Sequence, residues 1–142
     1  MVREKSKETK RAANVEQVVK QIEAGEYLSE LRGASTIAKV AKDLGYSASY
    51  LGYVEKGYRV PSDVFLTKAA AYFGIDEDSL FKRWGKVPIL AKDQIRESDT
   101  LQDTLLQIAR DKKLTDEEKE ELYDEILKTT QRFLAKKKGD NK

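Results

Sequence analysis

The side chains able to do chemistry crowd between Ser47 and Arg59, in the run SASYLGYVEKGYR. Ser47, Ser49, Tyr50, Tyr53 and Tyr58 carry hydroxyls, and Lys56 and Arg59 carry positive charge. Hydroxyls donate and accept hydrogen bonds and cations hold anions, but none of these groups has a general base beside it to make it a nucleophile. The chain contains no His and no Cys. That removes imidazole and thiol catalysis, zinc fingers and disulfides. It has no phosphate-binding glycine loop and no paired-carboxylate pattern, so no enzyme, metal or cofactor is expected. The acidic cluster Asp116 to Glu125 has its explanation in helix capping and surface charge. The chemistry left is recognition, in which hydroxyls exchange hydrogen bonds with a partner and cations hold anions.

Charge placement refines this. The 142 residues carry a net charge of +2, so composition alone does not announce a polyanionic partner. Residues 1–13 hold Arg3, Lys5, Lys7, Lys10 and Arg11 against Glu4 and Glu8, while the remainder is close to balanced. A neutral module still binds nucleic acid when its cations share a face. No apolar run reaches the 18 or more residues of a membrane span, and MVREKSKETKRAA lacks the apolar centre of a signal peptide. A cytoplasmic protein without membrane contact is the expectation.

The elements that must position these residues are helical. Residues 1–13 are expected as a disordered basic arm and 14–85 as a compact five-helix domain. Asn14 precedes an apolar stripe, Val15, Val18, Val19 and Ile22, and Tyr27, Leu28 and Leu31 continue an apolar face. With Gly25 between them, residues 15–32 read either as one kinked helix or as two. Ser35 is the expected cap of the next helix, whose inner face is Ile37, Val40, Ala41 and Leu44, and Gly45 ends it. Ser47 caps a third helix with Tyr50, Leu51 and Val54 as apolar positions, and Gly57 stops it. Pro61 and Ser62 start a fourth, carrying Phe65, Leu66, Ala69, Ala70 and Phe73. Asp76 caps a fifth with Leu80, Phe81 and Trp84. The small residues Ala41, Ala69 and Ala70 allow close approach of helix axes.

Residues 86–97, with Pro88, read as a linker, and 98–137 as a helical hairpin followed by a disordered tail, 138–142. Ser98 caps the first hairpin helix, with Leu101, Leu105 and Ile108 on one side. Thr115 and Glu118 form a capping box for the second, whose stripe is Leu122, Ile126, Phe133 and Leu134 together with Thr130. Two such helices bury their stripes poorly alone. They pack either on the first domain or on a second copy, and the second copy is favoured because Pro88 and its charged neighbours separate the hairpin from the domain.

The order of residues from about Glu26 to Trp84 resembles the lambda-repressor-like, or XRE-type, helix-turn-helix family. The resemblance rests on Leu31-Arg32, Ala41, Leu44-Gly45, Ser47, Tyr50-Leu51, Val54-Glu55, Gly57, Arg59, Pro61, Ala69-Ala70, Phe73-Gly74 and Leu80. The layout is similar to phage, plasmid and biofilm-switch repressors, in which such a domain precedes an oligomerisation segment. Three departures stand out. The loop after Arg32 is about two residues short, Ile37 occupies a position that often holds Gln in relatives, and the recognition helix has small residues where relatives carry Arg, Gln or Lys.

The resemblance implies an all-α fold and a recognition helix from Ala48 to Glu55 or Lys56 that enters the major groove. Ala48, Ser49, Gly52 and Tyr53 are then the base-reading candidates. Ala48 suits a thymine methyl, Ser49 a base edge, and Gly52 a close backbone approach. Lys39, Lys42, Ser47, Tyr50, Lys56, Tyr58 and Arg59 are the phosphate candidates, and Glu55 is expected to hold a basic partner such as Arg59 or to cap local amides. The expected function is sequence-specific repression of transcription on double-stranded DNA, by a homodimer or tetramer at a palindromic operator. The self-association candidates are Leu101, Leu105, Ile108, Leu122, Ile126, Phe133 and Leu134. The alternative is a protein-interaction module, or an antitoxin, that reads DNA weakly or not at all. An antirepressor or a toxin is the further partner considered.

Overall fold

The computed structural model describes the backbone of residues 2–140 and the side chains of residues 11–139. Among these residues there are eight helices: α1 Val2–Arg32, α2 Ile37–Leu44, α3 Ala48–Glu55, α4 Asp63–Phe73, α5 Glu77–Arg83, α6 Ile89–Glu97, α7 Asp99–Arg110 and α8 Asp116–Asp140. The chain divides into two compact units, residues 1–93 and 94–142.

Serine, threonine and aspartate caps set most of the boundaries. The side chains of Thr36, Ser47, Ser62, Asp76 and Ser98 accept the N–H groups of Lys39, Tyr50, Phe65, Ser79 and Leu101. Each satisfies a donor that the first helical turn leaves open. The cap of α2 is thus Thr36 and not Ser35, whose carbonyl instead accepts Arg32 Nη1 at 2.6 Å. Gly45 ends α2 with φ 83°, a left-handed conformation that a Cβ disfavours.

α1 runs unbroken through Gly25. The α1 backbone therefore includes residues 2–13, where an irregular arm was expected; the side chains of residues 1–10 lie outside the described residues. Gly25 is not a hinge but a contact. A Cβ there would lie 2.4 Å from the Glu55 carbonyl oxygen and 2.6 Å from that of Val54. Only glycine allows α1 to lie this close to the end of α3.

The core of the first unit gathers Ala24 and Leu28 from α1, Val40, Ala41 and Leu44 from α2, Leu51 and Val54 from α3, Phe65, Leu66, Ala69 and Ala70 from α4, and Leu80, Phe81 and Trp84 at α5. Ala41 of α2 and Ala69 and Ala70 of α4 are buried, as their role as spacers requires. The stripe Val15, Val18, Val19 and Ile22 is not part of this core and is exposed.

Beyond the five-helix domain come three helices, not two. α6 occupies 89–97, inside the expected linker, and its first turn starts at Pro88, whose carbonyl accepts the Lys92 N–H at 3.1 Å. In the second unit, Gln102 Nε2 donates to the carbonyls of Ile95 and Arg96 at 2.7 and 3.1 Å, tying α7 to the end of α6. Thr115 and Glu118 make the reciprocal capping box, each bond 3.1 Å. α8 continues to Asp140, through part of the expected tail. Ile108 is buried and Leu105 half-buried, whereas Leu101, Leu122, Ile126, Phe133 and Leu134 are exposed. No helix among the described residues is long and apolar enough to cross a membrane.

Candidate nucleic-acid interface

The turn between α2 and α3 is closed by backbone bonds from Gly45 N–H to the Lys42 carbonyl (3.1 Å) and from Tyr46 N–H to the Ala41 carbonyl (2.8 Å). Ser47 then caps α3. Leu51 and Val54 point into the core, which fixes the rotation of α3 about its axis. Residues between them in the helical period must face outward. Ala48, Ser49, Tyr53 and Lys56 are exposed and Gly52 is half-buried. These five line one shallow groove together with Ile37 of α2. All four base-reading candidates thus lie on one continuous surface.

Gly52 differs from Gly25 in a telling way. A Cβ built at Gly52 meets nothing within 4 Å. None of the described residues requires glycine there, although an internal helical glycine costs about 1 kcal/mol against alanine.

Of the phosphate candidates, Lys56 lines this groove, whereas Lys42 lines a separate one with Lys68 and Tyr72. Lys39 and Lys42 are exposed on α2, and Tyr58 and Arg59 are exposed in the loop after α3. Ser47 is exposed but engaged as a cap, with its oxygen 3.0 Å from the Tyr50 N–H. Tyr50 has a double task. Its ring stacks on Tyr46 (centroids 4.8 Å) and meets the edge of Phe65 (5.3 Å). Its hydroxyl oxygen accepts the Ser62 N–H at 3.1 Å, which leaves the hydroxyl proton for an outside acceptor.

Arg59 does not hold Glu55. Its guanidinium lies 4.8 Å from the Tyr50 ring centroid, a cation–π contact that tethers a cation beside the start of α3. The partner of Glu55 is Arg32. Arg32 Nε donates to both carboxylate oxygens, at 3.1 and 3.0 Å, and Nη2 donates to Oε1 at 3.0 Å. Glu55 is only 8% exposed. A bidentate guanidinium is the geometry that satisfies a buried carboxylate. The pair links the last residues of α1 and α3, and it keeps the negative charge of Glu55 away from the outer face.

Sequence reasoning missed a second anchor. Lys86 Nζ donates to the Pro61 carbonyl at 2.8 Å and pairs with Asp63 at 2.6 Å, and Lys92 pairs with the other oxygen of Asp63 at 3.1 Å. These bonds hold the end of the loop that carries Tyr58 and Arg59. The hydrogen bond from Lys86, then that from Lys92, holds the Asp63 carboxyl below the usual carboxylate range. Nothing in the local sequence marks Lys86 for this role, because its partners lie more than twenty residues away. Elsewhere on α2 and α4, Tyr72 donates its hydroxyl to Asp43 at 2.9 Å, which raises the phenol pKa.

Among the described residues no group of three or more His, Cys, Asp or Glu side chains is placed to hold a metal ion. No curated protein and no solved structure matches the chain. A family model described as a helix-turn-helix domain matches residues 23–80, the segment from the second half of α1 to α5. Residues 23–80 thus form a helix-turn-helix domain, of the type found in the XRE and lambda-repressor-like superfamily.

Proposed function

We propose that the chain is a transcriptional repressor that binds a palindromic operator in double-stranded DNA as a dimer or higher oligomer. The observation that carries this reading is the single outward surface of Ala48, Ser49, Gly52, Tyr53 and Lys56, the cation of Lys56 included. In this reading α3 lies in the major groove, with Ala48 against a thymine methyl, Ser49 on a base edge and Gly52 at the closest approach. Tyr53 contacts sugar or phosphate. Lys39, Lys42, Ser47, Tyr50, Lys56, Tyr58 and Arg59 contact phosphates and set the docking register.

One small module buries only about 600–1,000 Å² on DNA, too little for high specificity. A two-fold pair doubles the footprint and reads half-sites about 34 Å apart. The exposed stripe of α8, Leu122, Ile126, Phe133 and Leu134, with Leu101 of α7, supplies the apolar surface for that association, whereas Leu105 is half-buried and Ile108 is already covered within the chain. Repression follows by occupation of a promoter.

Footprinting on genomic fragments, including the region upstream of the protein's own gene, tests the proposal. The expected result is protection of a palindromic site that is lost with Ser49→Arg and weakened by Lys56→Ala. A folded protein that protects no site at low salt would leave the protein-interaction reading, which the scarcity of long polar side chains on α3 favours.

A further inference from the structure

Helix α1 carries two apolar faces on opposite sides. At about 100° per residue, Ala24 and Leu28 share one side, and both are buried in the core. Gln17 lies on that same side, where its Nε2 donates to the Trp84 carbonyl at 3.2 Å. The opposite side carries Val15, Val18, Val19 and Ile22, whose exposure runs from 62% at Val15 to 42% at Ile22. A lone exposed valine needs no explanation, but four β-branched residues in helical register form a seam. Their side chains have little rotamer freedom to lose on burial.

The charges at the ends of the seam say what covers it. Arg11 and Glu26 are exposed and fall on the same side of α1 as the valines, one at each end. A parallel pair of α1 helices would set Arg11 against Arg11 and Glu26 against Glu26. An antiparallel pair sets each against its opposite, and does so twice. We infer that α1 of a second copy packs antiparallel on this seam, across a two-fold axis between residues 18 and 19. Val15 then lies opposite Ile22 of the second copy, Val18 opposite Val19, and Arg11 opposite Glu26. Every residue of the seam belongs to α1, and none to α7 or α8.

The pairing bears on the DNA-binding face through packing. Gly25 seats α1 directly on the Val54 and Glu55 carbonyls, and Arg32 clamps Glu55. The end of α3 is therefore fixed to α1, so the α1 pair fixes one recognition helix relative to its twin.

The seam spans only about two turns, so the contact belongs to the small, transient class and is best read by trapping. The native chain has no Cys, which makes engineered thiols clean probes. In the antiparallel pair, position 15 faces position 22 of the other copy, within disulfide reach, whereas the two copies of position 15 are about 10 Å apart along the axis. The test is mild oxidation of the full-length Val15→Cys/Ile22→Cys protein, followed by non-reducing electrophoresis. The expected result is a covalent dimer from the double variant and monomer from Val15→Cys alone. Adding Arg11→Glu lowers the yield severalfold, and adding Arg11→Glu with Glu26→Arg restores it. Arg11, Val15 and Glu26 are exposed, Ile22 is partly covered by Gly57 of its own chain, and an unchanged thermal melt of the reduced proteins establishes that the variants fold. No cross-link in the folded double variant overturns the inference and assigns the seam to another occupant. Equal cross-linking by the Val15→Cys single variant also overturns it, because the helices would then be parallel. The test contains no DNA, so its failure leaves the repressor reading standing.

Discussion

At the scale of single residues, Gly52 and Glu55 define opposite sides of α3. Gly52 has open space where a side chain would go, and its helical cost benefits nothing inside the chain. Gly52→Ala is therefore expected to stabilise the fold by about 0.5–1 kcal/mol while weakening operator binding. Thermal melts and DNA titrations on the same preparation check both signs, and unaltered affinity would remove Gly52 from the contact surface. Glu55 is the reverse case, a buried charge satisfied by one partner. Arg32→Ala leaves that carboxylate uncompensated and is expected to cost about 3 kcal/mol or more in denaturant unfolding. Replacing both partners with apolar residues of similar size is expected to recover much of the loss, which separates the pair's worth from the penalty of breaking it. Asp63 adds a pH dependence. Its folded pKa is depressed by Lys86 and Lys92, so the folded state binds this proton less readily than the unfolded chain. The contribution is present above the ordinary carboxylate pKa and is lost as pH falls through the lower folded value. Asp63 is partly exposed, which keeps the effect modest. Asp63→Asn is expected to reduce the drop in stability between about pH 5 and pH 2, measured against wild type.

At the scale of elements, the approach of α1 to α3 depends on the missing Cβ of Gly25. Gly25→Ala drives a methyl to within 2.4 Å of a backbone oxygen that cannot rotate away. The expected cost is about 1–3 kcal/mol, with Gly52→Ala as the control in which the same methyl meets nothing. Urea unfolding of the two variants reads the contrast, and equal effects would show that α1 yields. This pairing also shows where the sequence was legible. The caps Ser47, Ser62, Asp76, Ser98 and Thr115 stand just before apolar periodicity, a local signal that side-chain oxygens and helix amides enforce. Leu51 and Val54 announced the inner face of α3 in the same way, so the outer face followed. What stayed hidden depends on contacts distant in sequence. Gly25 reads as a helix break until α3 lies across it. Glu55 has Arg59 four residues away and Arg32 twenty-three away, and only the fold chooses the distant one. The valine stripe of α1 has the periodicity of a core face, and periodicity alone does not reveal whether the covering element belongs to the same chain.

At the scale of the whole molecule, the near-neutral charge sets the terms of DNA binding. With Lys and Arg numbering 27 against 25 Asp and Glu, long-range attraction to a polyanion is weak and screened within about 8–10 Å at physiological salt. In the proposed repressor, binding must then come from local cations such as Lys56 on the outer face of α3. Each phosphate neutralised releases counterions, and the slope of log K against log salt changes by about 0.9 per contact. In a two-fold dimer every substitution counts twice. Lys56→Ala is expected to flatten the slope by about 1.8, and so are Lys39→Ala and Lys42→Ala; an unchanged slope removes that lysine from the phosphate contacts. Ser49→Arg should leave the number of phosphate contacts nearly unchanged while abolishing preference for the operator, because it alters base contacts and not backbone contacts. Titrations at several salt concentrations on operator and on scrambled DNA separate the two. A variant in the α8 stripe, Phe133→Asp, divides them once more. If association through α8 supplies the second half-site, its loss halves the slope and lowers affinity for the palindrome while leaving affinity for an isolated half-site unchanged. If the slope and the palindrome affinity survive, the two-fold is made elsewhere, and α1 is the next helix to disrupt.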